Sequence, residues 1–470
     1  MHSARLIFAV CAIAAAGCAL NPPPPAGELR GQALPNMKAP AQWTTSGAAT
    51  TAVADDWLAS FNDPALNALV REALAYNTDL RAAAARVETA AGYVRLSGAT
   101  LYPQVNLLAR GGGKLGGDPS GLKGVGFFAT WELDLWGRVR ASQQGAQSIY
   151  DAAALDVAYA RQSIAAQTAK AWFLATEAQL QLAIAKDTLA STERLVGFAR
   201  DRQRVGKGDE YDIATGLANL DTYRDVVAQL ELARSQALRA LETLLGRYPA
   251  AAVDVPASFA TMPPPVPVGL PSELLERRPD VTGAERRVAA AFYGVEEAKA
   301  ARLPRISLTA NLTSVSSDLF VLQQRNNPVA SVGASLLAPI FLGYALQSQV
   351  DIRNAEQAQA IVEYGRVAAR AFGEVENALS AGFALDERTT ILARAIADNE
   401  RALELSQVRY RVGSGDLRGV NQQQLALYSA RSAHVRVEAE RRVQRVNLHL
   451  ALGGSFDAAA NVASVVPPHP

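Results

Sequence analysis

The chain has 470 residues, a formal net charge of +1 and 49% hydrophobic residues, much of that alanine. Near-neutral charge offers no basic surface for nucleic acid. The two cysteines, Cys11 and Cys18, both precede residue 19, so the body of the chain holds neither a disulfide framework nor a cysteine-based metal site.

In chain order, the first element is a targeting signal. His2 and Arg5 precede an apolar run from Leu6 to Ala16, too short to span a bilayer, which ends in Gly17-Cys18. Small residues leading into a cysteine, Ala15-Ala16-Gly17-Cys18, resemble a bacterial lipobox: residues 1–17 are expected to be removed and Cys18 acylated. Ala19 rather than aspartate follows, which fits sorting to the outer membrane. Residues 18–57 are then expected to form a lipidated extended linker, opened by the stiff run Asn21-Pro22-Pro23-Pro24-Pro25.

Beyond the linker the sequence repeats itself. Asp79 to Leu107 aligns without gaps to Asp280 to Leu308 at an offset of 201, with matches at Asp79/Asp280, Arg86/Arg287, Val94/Val295 and Pro103/Pro304. Arg204-Val205-Gly206-x-Gly208-Asp209 returns as Arg411-Val412-Gly413-x-Gly415-Asp416 at an offset of 207. The period far exceeds solenoid repeats. It defines two copies of one structural unit, at 58–260 and 261–455, followed by a tail at 456–470.

Each copy carries the same order of elements. Leu80, Ala84, Val87, Ala91 and Val94 fall at helical spacing and predict a helix over 78–101, ended by Pro103. Two strands flank a Gly-rich turn. A long helix without internal proline follows at 137–204, Gly206 and Gly208 break it, and a last helix covers 210–246. Copy two predicts a helix at 279–303, strands near 305–318 and 328–340, a long helix at 344–411 and a final helix at 417–451. At ~1.5 Å per residue each long helix reaches roughly 100 Å. The two shorter helices of a copy, stacked end to end, nearly match it, as the wall of a tall tube requires.

The strands alternate. Val125, Phe127, Ala129, Trp131 and Leu133 interleave with Gly126, Phe128, Thr130 and Glu132; Ile306, Leu308, Ala310 and Leu312 interleave with Ser307, Thr309, Asn311 and Thr313. That pattern suits an outer-membrane barrel strand, and also an ordinary sheet with one wet face. Export without a spanning helix favours the barrel. Four strands cannot close one, since about eight is the practical minimum, and an open edge in lipid leaves backbone groups unpaired. Identical chains must complete it. Three copies give twelve strands and a pore.

These residues resemble the TolC-like outer-membrane efflux family, in its OprM-like and NodT-like lipoprotein branch. The motifs that carry the resemblance are Phe61-Asn62-Asp63-Pro64-Ala65-Leu66, Trp131-Glu132-Leu133-Asp134-Leu135-Trp136-Gly137-Arg138, Leu270 to Asp280 with its Arg277-Arg278-Pro279-Asp280, Arg409-Tyr410-Arg411-Val412-Gly413 and Ala451-Leu452-Gly453-Gly454. The resemblance implies an α+β membrane protein: a homotrimeric 12-stranded β-barrel continued by a long periplasmic α-helical barrel. It implies a passive exit duct for drugs or toxic compounds. Its partners would be outer-membrane lipid, a periplasmic membrane-fusion adaptor and an inner-membrane pump, commonly proton-driven. A protein-secretion exit channel and a coiled-coil adaptor lipoprotein are the alternative readings.

In that topology the two Gly-Asp turns form the periplasmic tip. Asp209, Glu210 and Asp212 mark the first turn, and Asp416 and Arg418 the second; three-fold symmetry makes each a ring that can set a constriction. Asp at a helix start is equally a cap for free N–H groups. Tyr410 resembles a tyrosine that locks the closed tip in relatives, and also reads as simple packing. Arg277-Arg278-Pro279-Asp280 reads as structural, and Trp131 and Trp136 as residents of the membrane interface or the barrel-to-helix junction. The four histidines, His2, His434, His449 and His469, have no His or Cys at metal-ligand spacing. Gly111-Gly112-Gly113-Lys114 lacks the Ser or Thr of a phosphate loop. No catalytic pair and no cofactor are expected.

Overall fold

The computed structural model describes residues 21–45, 55–110, 122–317 and 329–456. Cys18, the signal segment, the Gly-rich hairpin at 111–114 and the tail beyond 456 lie outside the described residues.

Helix α1, Ala26–Ala33, falls inside the stretch expected to be an extended linker. Its one buried side chain is Leu29, a single anchor too weak a signal beside the proline run. Farther on, the stretch is fastened by polar contacts. The Trp43 indole donates to Val268 O (3.3 Å), and Glu376 accepts from the backbone N–H groups of Thr44 (2.8 Å) and Thr45 (3.2 Å). Burial opposes the Glu376 charge, but the hydrogen bonds from Thr44 and Thr45 outweigh it and hold its pKa below the ordinary carboxylate value.

Helix α2, Pro64–Tyr76, starts at Asp63, whose carboxylate accepts from Leu66 N (3.0 Å) and from the Trp172 indole (2.8 Å). Proline at the first helical position costs no hydrogen bond. Asn77 then breaks the chain from α2 into α3, Thr78–Gly98, and its side chain accepts from Asp79 N and Leu80 N. A short 3-10 turn, Ala99–Leu101, carries the helix to Pro103. Strands β1, Gln104–Arg110, and β2, Leu122–Leu133, follow. Next come α4, Arg138–Arg204, of 67 residues, and α5, Glu210–Leu244, of 35.

The second copy repeats the order. A short helix, α6 (Leu274–Arg277), leads into α7, Pro279–Ala300; then come β3, Arg305–Ser317, and β4, Val329–Leu337. Helix α8, Ala345–Arg411, has 67 residues, and α9, Leu417–Ala451, has 35. The four longest helices are thus equal in pairs, α4 with α8 and α5 with α9. Among the described residues, no helix is long and apolar enough to cross a membrane.

The chain divides into two compact units, each drawn from both copies. One collects the described residues up to Met37 with those of Ala84–Asp156 and Asp280–Val367, and contains the sheet. Its four strands are antiparallel in the order β1-β2-β3-β4. The register sets Leu107 opposite Phe127, Phe127 opposite Leu312, and Leu312 opposite Ala330. Directly opposed residues share a face. One face is therefore Val105, Leu107, Val125, Phe127, Trp131, Leu308, Leu312, Val332 and Leu336; the other carries Asn106, Thr130, Glu132, Ser307, Thr309, Asn311, Ser331 and Ser335.

The other unit comprises the described residues of Lys38–Ala83, Val157–Pro279 and Ala368–Pro470. Its core joins Trp57, Phe61, Leu66 and Val70 to Ile164, Trp172 and Phe173 of α4, to Leu238 and Leu241 of α5, and to Val446 of α9. Two buried charges tie connecting segments to this core. Arg278, only 1% exposed, donates to Glu374 (2.7 Å) and to Ala451 O at the end of α9 (3.1 Å). Glu242 accepts from the N–H groups of Ala251 (2.6 Å), Ala252 (2.6 Å) and Val253 (3.2 Å). Arg278 thus has the structural role its motif suggested.

Candidate functional site

Two regions hold the residues singled out in sequence: the sheet with its junction to the helices, and the paired turns at 205–209 and 412–416.

At the sheet, the apolar face is exposed along its length: Val105, Leu107, Val125, Phe127, Leu312, Val332 and Leu336 all stand open. Ordinary soluble packing would cover such a band. The edge strands β1 and β4 each pair on one side only. The two tryptophans sit where the strands give way to helices. Trp131 donates from its indole to Leu101 O (2.9 Å) and Trp136 to Pro304 O (2.7 Å). Asp134 accepts from Val139 N and Arg140 N, both 3.0 Å, and so caps α4, while Arg138 holds Glu132 through both carboxylate oxygens.

The turns are built by backbone rules. Gly206 and Gly413 adopt φ of +71° and +83°, the left-handed conformation that ends a helix without steric cost. Lys207 N bonds Arg202 O and Ser414 N bonds Arg409 O, each at 2.9 Å, closing the last turn of α4 and of α8. A side chain on Gly208 would meet Gln203 N at 2.5 Å, so this position has room only for hydrogen. Asp209 then caps α5, accepting from Tyr211 N (3.2 Å), and Asp416 caps α9, accepting from Gly419 N (2.8 Å).

The side chains couple one turn to the other. Tyr410, 2% exposed, lies with Ala199, Ile213, Leu417 and Val420 in a small apolar cluster that Phe198 joins edge-on, its ring 5.7 Å away. The Tyr410 hydroxyl donates to the Asp212 carboxylate (3.1 Å). Arg202 lies over the Tyr410 ring, 4.7 Å from its centre, and donates to Tyr410 O (2.5 Å). Burial, reinforced by the Asp212 charge, pushes the Tyr410 hydroxyl up to about 12. On the exposed side, Arg418 donates to the Tyr211 hydroxyl (2.9 Å), and that hydrogen bond draws the Tyr211 pKa down. Glu210 accepts from the Gln203 amide (2.5 Å).

Of the residues singled out in sequence, Asp212 and Tyr410 meet, Asp209 and Asp416 cap separate helices, and Arg418 and Glu210 each find a partner. Arg202, Phe198 and Tyr211 were not anticipated. For Tyr211 a signal existed: it and Arg418 occupy equivalent positions of the two copies, at the offset of 207. Nothing at this site resembles catalytic geometry. Its chemistry is that of a hydrogen-bonded donor and acceptor pair joining the end of α8 to the start of α5.

Comparison with known proteins agrees with this architecture. The family described as outer membrane efflux protein matches residues 69–247 and 270–454. The pyoverdine export outer membrane protein OpmQ of Pseudomonas aeruginosa is 30% identical over 442 residues, covering 90% of this chain and 92% of its own length. The cation efflux system protein CusC of Escherichia coli K12 is 28% identical over 468 residues, covering 97% of this chain and all of its own. The structure of the open state of the Neisseria gonorrhoeae MtrE outer membrane channel superposes with a TM-score of 0.79 at 29% identity, over 93% of this chain and 98% of that one.

Proposed function

This chain belongs to the outer membrane efflux protein family, and on that premise we propose that it is the exit duct of a tripartite efflux system. It conducts small molecules passively from periplasm to exterior and performs no chemistry on them. One observation carries the reading. The four-stranded sheet presents a continuous apolar face on one side and a polar face on the other, with both edges unpaired. In lipid each unpaired backbone group costs several kcal/mol, so the sheet has to close with others of its kind. Three copies supply twelve strands, with the polar face lining a water-filled bore and the apolar face meeting lipid.

The remaining assignments rest on the sequence and on the organisation the family implies. Residues 1–17 act as a signal, Cys18 carries the lipid, and 58–260 and 261–455 are two equivalent staves of the wall. The paired turns form the periplasmic tip, where the Asp212–Tyr410 contact and the Arg418–Tyr211 contact hold the bore narrow. A periplasmic adaptor engages the outside of that tip, and an inner-membrane pump, proton-driven in this reading, supplies the energy that the duct lacks.

The test is purification in detergent, electrophoresis of unboiled and boiled samples, and recording in a planar lipid bilayer. The expected result is a heat-sensitive trimer that conducts ions. A monomer indifferent to boiling, with no conductance, would overturn the reading and favour a coiled-coil adaptor.

A further inference from the structure

A cavity of about 180 Å³ lies within one compact unit, between α8, α9 and the connecting segment at 262–266. It belongs neither to the sheet nor to the paired turns. The chain itself keeps the space open. Gly382 offers no side chain from α8, and a Cβ built there would meet nothing within 4 Å. Glycine is the weakest helix former after proline, so helix propensity does not account for its place inside α8. One turn earlier, Ala378 is also small. The run Pro263-Pro264-Pro265 lies against α9, and its rings fix the backbone, so it cannot fold inward to fill the gap.

The lining is divided. Val266, Leu379 and Leu448 are buried and make an apolar floor, which the more exposed Met262 and Phe383 extend. The remainder is polar and includes Asp386, Arg441 and Arg445. Arg441 is already matched, donating to Asp386 (2.7 Å) and to Glu438 (2.8 Å). Arg445 is not. It is half-buried and donates through Nη1 to the carbonyls of Pro263 (3.1 Å) and Pro264. Among the described residues, its Nε and Nη2 donate to no partner and no carboxylate lies within ion-pair distance of it. Burial lowers its pKa from the ordinary guanidinium value, Asp386 offsets this only in part, and Arg441 adds to it. Around the cavity Arg441, Arg442 and Arg445 share Asp386 and Glu438, three cations to two carboxylates.

A half-buried cation with spare donors, set beside an apolar cavity, matches an anion that carries an apolar body. An engineered cavity of ~150 Å³ accepts benzene, so this one has room for a substituted ring or a chain of about eight carbons.

We propose that this cavity is a binding site for small amphipathic carboxylates. The apolar body rests on Val266, Leu379 and Leu448, and the carboxylate accepts from Arg445.

The test uses the detergent-solubilised protein and para-trifluoromethylbenzoate, followed by fluorine NMR against empty micelles at the same detergent concentration. The expected result is saturable binding, at least ~10-fold weaker for the neutral para-trifluoromethylbenzamide, which forfeits the charge-assisted hydrogen bond. Gly382→Leu fills the open space and favours the helix, so it is expected to abolish binding without lowering the melting temperature. Arg445→Gln retains a donor for the proline carbonyls and is expected to weaken the benzoate at least ~10-fold while leaving the benzamide within about threefold. If Arg445→Gln fails to fold, Gly382→Leu and the benzamide comparison decide the matter. Absence of saturable binding beyond that of the micelles, the result expected where a neighbouring copy fills the cavity, overturns the site. Binding that Gly382→Leu leaves unchanged overturns it too. Equal affinity for the benzoate and the benzamide overturns the choice of an anion.

Discussion

Tyr410→Phe isolates the latch from its surroundings. The ring keeps its place beside Phe198, Leu417 and Val420, and Arg202 keeps its position over the face. Only the hydroxyl is lost, and with it the 3.1 Å hydrogen bond to Asp212. A hydrogen bond to a charged acceptor contributes roughly 1.5–3 kcal/mol, and the half-buried setting of Asp212 argues for the lower figure. If the three copies open together, the closed state loses about 4.5 kcal/mol, which is roughly 10³-fold in the ratio of open to closed tips. Single-channel recording in a planar bilayer reads that ratio as the fraction of time spent in the high-conductance state. Asp212→Ala removes the same contact from the other side, so the double variant should exceed neither single variant by more than about twofold. An unchanged open fraction in Tyr410→Phe, or effects that multiply fully in the double variant, would show that this contact does not hold the tip.

Other outcomes follow from the same contacts. Because the Tyr410 hydroxyl is pushed up to about 12, its donor proton persists, and latch stabilisation is full below pH ~10 and lost only as pH rises from there towards 12. Burial also raises the pKa of Tyr223 and Tyr428, so ultraviolet titration should show one late-ionising tyrosine fewer in Tyr410→Phe than in the parent. His449 is 5% exposed, stacked on Trp57 at 5.6 Å, and burial lowers its pKa to about 3. A base whose folded pKa is depressed stabilises the fold above its unfolded value of ~6.5 and loses that contribution as pH falls towards 3. Melting temperature should therefore drop more steeply over that window in the parent than in His449→Leu, and equal slopes would refute the assignment. Glu374→Ala strips one acidic partner from buried Arg278 and is expected to cost about 2 kcal/mol, less than for a fully buried pair because Glu374 is itself exposed. Chemical denaturation of the detergent-solubilised protein measures it, and a change below ~0.5 kcal/mol would show that the pair does not stabilise the fold.

How much of this was legible in sequence depended on whether the signal was local. The turns were readable because glycine, glycine and aspartate at fixed spacing encode a left-handed stop followed by a cap, and both copies carry them. The long rods were readable because nothing in them breaks a helix. Their partners were not: Tyr410 and Asp212 are 198 positions apart, and only the packing of α8 beside α5 brings them together. Helix α2 was less legible although Asp63-Pro64 is a sound start signal, because its counterpart in copy two at the same offset is shortened to Pro271–Arg277, so the repeat does not reinforce it. The fastening of residues 43–45 to Glu376 was invisible for another reason. It depends on backbone N–H groups, which carry no side-chain signature.

The equality of α4 with α8 and of α5 with α9, 67 and 35 residues respectively, restricts how the gene can change length. Removing one helical turn from α4 alone would raise its end by ~5.4 Å, nearly twice a hydrogen-bond length, and carry the turn at 206 out of step with that at 413. A lineage that lengthens or shortens this duct must therefore edit both halves in concert, as a carpenter trims all the legs of a table. Single insertions are confined to the surface loops. Deleting four residues from α4 and then the matching four from α8 should first abolish and then partly restore trimer yield.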